Sequence, residues 1–236
     1  MKKQLSIAMG LALAGLSSVA SAENPMGLEF GADVALTSNY VFRGFSESGE
    51  EPSIQGTFSA SHGSGIYASL FAASVDNGGY YVGSPTEVTY TLGWGGDVGP
   101  VGLDLGLNQY TYPGHVSPDP DTTEFFIGVS KDFGVLSAGL SYAYADDWYN
   151  LGDNSYWNLS AEAPVGDFTV FGHYGYTDRD DGAASVNTGE YSDWLIGVST
   201  ELGGFGFALT FTDTDDAEDV NATNEDYTAF TISKSL

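Results

Sequence analysis

The sequence predicts an all-β protein: a transmembrane antiparallel up-and-down β-barrel of about twelve strands, with short periplasmic turns and long acidic extracellular loops. Three observations predict it. Apolar and polar residues alternate with period two along nearly the whole chain, which marks strands with one apolar face. The connections alternate between short turns and long Gly/Asn/Asp/Pro-rich stretches. An export signal opens the chain, and no later segment is apolar enough for a membrane helix.

The signal comes first. Met1-Lys2-Lys3 is a positive start, Leu5 to Leu16 an apolar run, and Ala20-Ser21-Ala22 a small-x-small cleavage site. The run is shorter than the roughly 20 residues of a spanning helix, so residues 1–22 read as a cleaved secretory signal rather than an anchor. Residues 23–236 then form a single barrel domain, and residues 23–27 are too few to make a plug.

Composition narrows the functions available. Six Lys+Arg stand against 32 Asp+Glu, a net charge of −26. Nucleic acid is excluded as a partner, because duplex binding needs cations to neutralise phosphates. With no cysteine there is no disulfide framework, thiolate zinc site or Cys nucleophile. An aromatic content of 14% is too high for a disordered acidic tail.

The strands follow in order. From Leu28 to Gly44 the even positions run Leu28, Phe30, Ala32, Val34, Leu36, Ser38, Tyr40, Phe42, and the odd positions are mostly polar or small. Ile54/Phe58/Ala60, Val88/Tyr90/Leu92/Trp94 and Val101/Leu103/Leu105/Leu107 repeat the pattern. So do Phe125/Ile127/Val129, Leu136/Ala138/Leu140/Tyr142, Trp157/Leu159/Ala161, Phe168/Val170, Trp194/Ile196/Val198 and Phe205/Phe207/Leu209/Phe211. Ile66 to Val75 has apolar residues on both parities, and Tyr227 to Leu236 closes the series. Short turns are expected at 62–65, 95–100, 132–134, 164–167 and 201–204, and long loops at 46–52, 76–85, 113–121, 146–154, 178–190 and 213–226. A β-sandwich also alternates apolar and polar residues, but nothing in a sandwich segregates short and long connections to opposite ends. Tyr40, Phe42, Trp94, Tyr142, Tyr144, Trp157, Tyr174, Tyr176 and Trp194 fall near strand ends, where girdle aromatics sit at a membrane boundary.

Several motifs carry a family resemblance. Ser38-Asn39-Tyr40-Val41-Phe42-Arg43-Gly44 resembles the opening motif of the TorF family, Gram-negative outer-membrane barrel proteins of unknown function. Tyr110-Thr111-Tyr112-Pro113-Gly114, Thr123-Glu124, Ser155 to Ser160, Gly172 to Tyr176 and Thr212 to Asp215 extend the likeness over the mature chain. The resemblance implies an outer-membrane pore without an established substrate. The chain departs from the family at its end, where Phe230, Ile232, Lys234 and Leu236 replace the usual terminal Phe and its apolar run.

Candidate chemistry lies inside the barrel. Taking the polar parity as inward gives Glu29, Asp33, Glu87, Asp104, Glu124, Glu162, Asp193 and Glu201 against one cation, Arg43. Arg43, Glu87, Glu124, Asp193, Asp104 and Asn108 are the expected lumen and constriction residues. Tyr110, Tyr112, Phe126, Tyr156 and Phe171 would narrow a twelve-strand bore further. Among the loops, Asp213, Asp215, Asp216, Glu218 and Asp219 form an acidic cluster that suits loose divalent cations. It has no EF-hand spacing, so no specific metal site and no cofactor are expected. The histidines, His62, His115 and His173, form no hydrolase pattern; His173 reads as a lumen-facing polar residue. The expected function is a passive porin-like channel, cation-preferring and not an enzyme. The alternatives are a surface-structural or adhesin barrel with a blocked lumen and, more remotely, an outer-membrane hydrolase. Expected partners are outer-membrane lipid and lipopolysaccharide, small cationic or neutral solutes, and the barrel-assembly machinery.

Overall fold

The computed structural model describes residues 27–76, 83–115, 120–179, 189–217 and 225–236. The expected signal peptide lies outside the described residues, as do Asp180, Asp181, Glu218 and Asp219. Twelve antiparallel strands close into a barrel: β1 (Leu28–Thr37), β4 (Ser53–His62), β5 (Ile66–Ser74), β6 (Thr86–Val98), β7 (Val101–Thr111), β8 (Thr122–Asp132), β9 (Ser137–Ala145), β10 (Asn154–Val165), β11 (Phe168–Arg179), β12 (Gly189–Leu202), β13 (Phe205–Asp215) and β14 (Tyr227–Ser235). Two further two-residue strands, β2 (Val41–Phe42) and β3 (Phe45–Ser46), pair only with each other.

Closure follows from β1, which pairs with β4 along its length and with β14 through Asp33↔Ser235 to Thr37↔Thr231. Each barrel strand thereby has a partner strand on both sides, as an apolar outer environment requires. The outer wall carries the even-parity apolar set: Phe30 is 60% exposed, Ile54 70% and Phe58 66%. A wall that apolar is what a lipid-embedded barrel presents. Register settles β5, where Ile66, Ala68 and Leu70 face out and Tyr67, Ser69, Phe71 and Ala73 face in. Inner aromatic rings pack against glycines of the neighbouring strand, Tyr67 on Gly93 and Phe171 on Gly197, where a Cβ would overlap the ring.

Four of the five short turns are tighter than the sequence suggests, and the fifth, between Asp132 and Ser137, is one residue longer. β6 and β7 stay paired out to Val98↔Val101, so Gly95 and Gly96 lie inside a strand and only Gly99-Pro100 turns. Both described chain ends are at this short-turn end, where Leu236 N donates to Ala32 O at 2.9 Å. Lys234 fits the same rim: its Nζ donates to Gly204 O at 2.8 Å and sits over the Phe205 ring, so the stem covers apolar surface while the charge stays wet.

One element departs from the sequence reading. The alternation from Leu28 to Gly44 looks like one long strand, but β1 stops at Thr37. The chain then folds inward as the β2–β3 hairpin, with Arg43 (φ 47) and Gly44 (φ 85) as its two turn residues. Positive φ at both central positions is the type I′ requirement for a two-residue hairpin. Tyr40 and Phe42 are therefore not girdle residues. Tyr40 is buried inside, and Phe42 packs on Tyr110 and Trp148. Tyr142 with Trp157 (4.7 Å) and Trp194 with Phe211 (5.4 Å) do form outer-wall pairs near the long-loop end.

Candidate functional site

The site is the long-loop half of the lumen, and the inward hairpin builds it. Ser38 fastens the hairpin's root, its N donating to Phe230 O and its Oγ accepting from Phe230 N, both at 2.9 Å. Asn39 Oδ1 accepts from Ser46 Oγ at 2.6 Å, and Ser48 Oγ accepts from Tyr40 N at 2.9 Å. The hairpin tip then reaches across the bore. Gly44 lies so close to β12 and β13 that an added Cβ would overlap Thr214 Cγ2 and crowd Asp193 Cβ. Tyr191 OH donates to Arg43 O at 3.1 Å.

Arg43 itself pairs with Glu124 of β8, Nη2 to Oε2 at 2.5 Å, with both side chains nearly inaccessible. Its guanidinium lies 4.2 Å from the Tyr156 ring centroid, 4.7 Å from Trp148 and 4.9 Å from Phe42. Burial opposes the charge, but the Glu124 carboxylate together with the Tyr110 and Tyr156 hydroxyls outweighs it, so the guanidinium is held protonated above its ordinary range. Glu124 Oε1 also accepts from Tyr110 OH at 3.1 Å and from Asn108 Nδ2 at 3.4 Å. Arg43, Glu124 and Asn108 thus form one network.

Glu87 anchors a second network. It accepts from Thr89 Oγ1 at 3.1 Å, Tyr112 OH at 3.2 Å and Tyr40 OH at 3.4 Å. Burial and then the nearby Glu87 push the Tyr40 phenol well above its usual value, so it remains a neutral donor. Asp193 belongs to a third, accepting from Tyr156 OH at 3.3 Å with His173 Nε2 2.7 Å from its Oδ2. Asp104 stands apart toward the short-turn end, half-buried and bonded by Tyr67 OH at 2.9 Å.

The loop between β9 and β10 completes the closure. Trp148 is 4% exposed and packs on Tyr110 and Phe42. Tyr149 N donates to Thr122 Oγ1 at 2.8 Å, and the Tyr149 and Tyr112 hydroxyls are 3.0 Å apart. Inward residues of the long-loop half, such as Thr37, Ser53, Glu87, Glu124, Asp193 and Thr214, are buried. Those of the short-turn half, such as Asp33, Ser59, Asp104, Ser160 and Glu162, keep partial exposure. Among the described residues, the lumen is constricted toward the long-loop end and more accessible toward the other.

Three placements differ from the sequence reading. Arg43 sits on the hairpin tip rather than on β1. Arg43 is not the sole inward-parity cation, because Arg179 ends β11 on the same parity and its Nε donates to Asn154 Oδ1 at 3.3 Å. In the acidic cluster, Asp213 and Asp215 end β13 on its outward parity, and Asp216 follows at φ 62. Among the described residues, no three His, Asp or Glu side chains converge to hold a metal ion. The sequence reading also missed Trp148 and Tyr149; an aromatic pair inside an otherwise polar loop was the available signal.

Known proteins place this geometry. The family model described as "bacterial protein of unknown function (Gcw_chp)" matches residues 20–236, and the chain belongs to that family. No curated protein matches the sequence. The fold is that of outer-membrane porins. The NanC porin structure superposes with a TM-score of 0.57 at 12% identity, covering 86% of this chain and 97% of NanC. The KdgM porin, solved in complex with disordered oligogalacturonate, gives 0.56 at 8% identity over 88% of this chain and 98% of KdgM. Pseudomonas aeruginosa OprD gives 0.50 at 10% identity over 92% of this chain but only 68% of its own.

Proposed function

We propose that this family member is a small outer-membrane channel, exported by its N-terminal signal, that passes small cationic or neutral solutes without a cofactor. The inner wall is the observation that supports it. Glu29, Asp33, Glu87, Asp104, Glu124, Glu162, Asp193 and Glu201 have inward parity, against Arg43 and Arg179. Glu124 pairs with Arg43, and Glu87 and Asp193 are buried in hydrogen bonds, so the surplus negative charge that faces the lumen is carried by Glu29, Asp33, Asp104, Glu162 and Glu201. Carboxylates lining a narrow bore favour cations over anions. This separates the chain from KdgM in solute charge, because an acidic oligosaccharide would be repelled here. The narrower placement in the TorF family is part of the same proposal and rests on the Ser38–Gly44 motif, which forms the hairpin across the bore.

The hairpin also favours a second reading, a barrel closed to solutes whose loops do the work at the surface. Liposome swelling separates the two. Proteoliposomes of the full mature chain should swell in small neutral solutes and faster in small cations. Absence of swelling with a correctly folded barrel would favour the closed reading.

A further inference from the structure

Arg43 is bound the way a ligand is bound. Its guanidinium meets one carboxylate, Glu124, and the faces of Phe42, Trp148 and Tyr156. A carboxylate with stacked aromatic faces is the chemistry that recognises a planar, weakly hydrated cation. Glu124, Tyr156 and Trp148 belong to β8, β10 and the β9–β10 loop, not to the hairpin that delivers Arg43. The wall and the β9–β10 loop therefore supply the carboxylate and two of the three aromatic faces, and the hairpin brings Phe42 together with Arg43.

The occupant is held mainly by side-chain contacts, and the hairpin's own backbone ladder is short. The hairpin has a ladder of two residue pairs, its tip residue Arg43 is in the left-handed region, and Arg43 Nη1 has no hydrogen-bond partner. Elements with so few backbone bonds open at low cost relative to the barrel. We propose that this cage is the binding site of the channel for small guanidinium-bearing solutes, and that Arg43 fills it as a tethered stand-in that holds the hairpin across the bore. A solute that wins the cage displaces Arg43, and the hairpin leaves the lumen. This rests on the channel reading above. A short tether gives an effective concentration in the millimolar range, so free solute should compete at about millimolar levels.

The test uses the full mature chain, refolded and checked by heat-modifiable migration, in planar bilayers with KCl. Methylguanidinium is the probe and methylammonium the control. In Arg43→Ala, where no tethered side chain competes, methylguanidinium should block K⁺ current below the about millimolar concentration needed to displace Arg43, and methylammonium should block much less. Adding Glu124→Gln should raise the methylguanidinium needed by about ten-fold, through loss of the charge-assisted contact. Equal block by the two cations, or no shift with Glu124→Gln, would overturn the proposal. Should Arg43→Ala fail to fold, Gly44→Ala takes its place, since it unseats the tip and leaves the cage residues intact. Should no variant conduct, that result counts against the channel, and Trp148 fluorescence in detergent decides the cage separately. Saturable quenching by methylguanidinium in Arg43→Ala, lost with Trp148→Phe and weakened with Glu124→Gln, supports it. Absence of quenching refutes it.

Discussion

Arg43 and Glu124 are 81 positions apart in the chain, and their side chains meet at 2.5 Å inside the barrel. β8 lies five strands from β1 one way around the wall and seven the other, so the pair bridges nearly opposite sides of the bore. Burying both charges costs desolvation, which a pair offsets only when its remaining polar atoms are also satisfied. Tyr110 and Asn108 supply that for Glu124. The pair thus holds the hairpin across the bore, while Arg43 Nη1 is left without a hydrogen-bond partner.

Gly44 tests whether the hairpin obstructs the lumen. Its φ of 85° and its contact with Thr214 and Asp193 leave no place for a Cβ. Gly44→Ala should unseat the tip and raise single-channel conductance, with the barrel still folded by heat-modifiable migration. An unchanged conductance would mean that the hairpin is not the limiting constriction.

Tyr112 tests the Glu87 network. Tyr112→Phe removes a buried donor to a carboxylate that has no cation among its hydrogen-bond partners. It should destabilise the barrel by about 1–3 kcal/mol, read as a lower urea midpoint. A midpoint equal to wild type would show that Glu87 does not depend on this bond.

The two faces of β13 should respond differently to charge. Leu209 is exposed on the outer wall, whereas Thr210 faces in with partial exposure. Leu209→Arg should cost roughly 2–4 kcal/mol at mid-bilayer depth, and Thr210→Arg much less. Similar losses would reverse the assignment of inside and outside. Asn108 is an unsuitable inward control, because it is buried between Thr91 and Glu124.

Much of this barrel is legible in the chain because period two survives wherever one face must be apolar. Leu103/Leu105/Leu107 and Phe205/Phe207/Leu209 mark their strands without ambiguity. The hairpin was not legible by that route. Tyr40 and Phe42 continue the even parity of β1, so their apolar character reads as lipid-facing although it serves the lumen. The local signal was Arg43-Gly44 between Phe42 and Phe45, a turn pair flanked by aromatics. Of the candidate residues, Arg43, Glu124 and Asn108 share one network and Glu87 and Asp193 lie in neighbouring ones, which parity alone could place on the inner face but could not connect. Arg179 was missed because it ends its strand next to acidic loop residues.

Orientation follows from the turn lengths. An epitope inserted at Gly182 or Asn221, in the long connections, should be labelled on intact cells. One at Gly203, in the β12–β13 turn, should be labelled only after the outer membrane is permeabilised. Labelling of Gly203 on intact cells would invert the barrel.

The central claim, a conducting lumen with surplus negative charge, is tested most directly by the reversal potential of the full mature chain in a planar bilayer under a KCl gradient. The account predicts current whose reversal potential shows K⁺ preferred over Cl⁻, with the preference shrinking at high salt as screening shortens the reach of the inner carboxylates. A reversal potential showing Cl⁻ preferred, or a folded barrel with no current in the wild type and in Gly44→Ala alike, would contradict it.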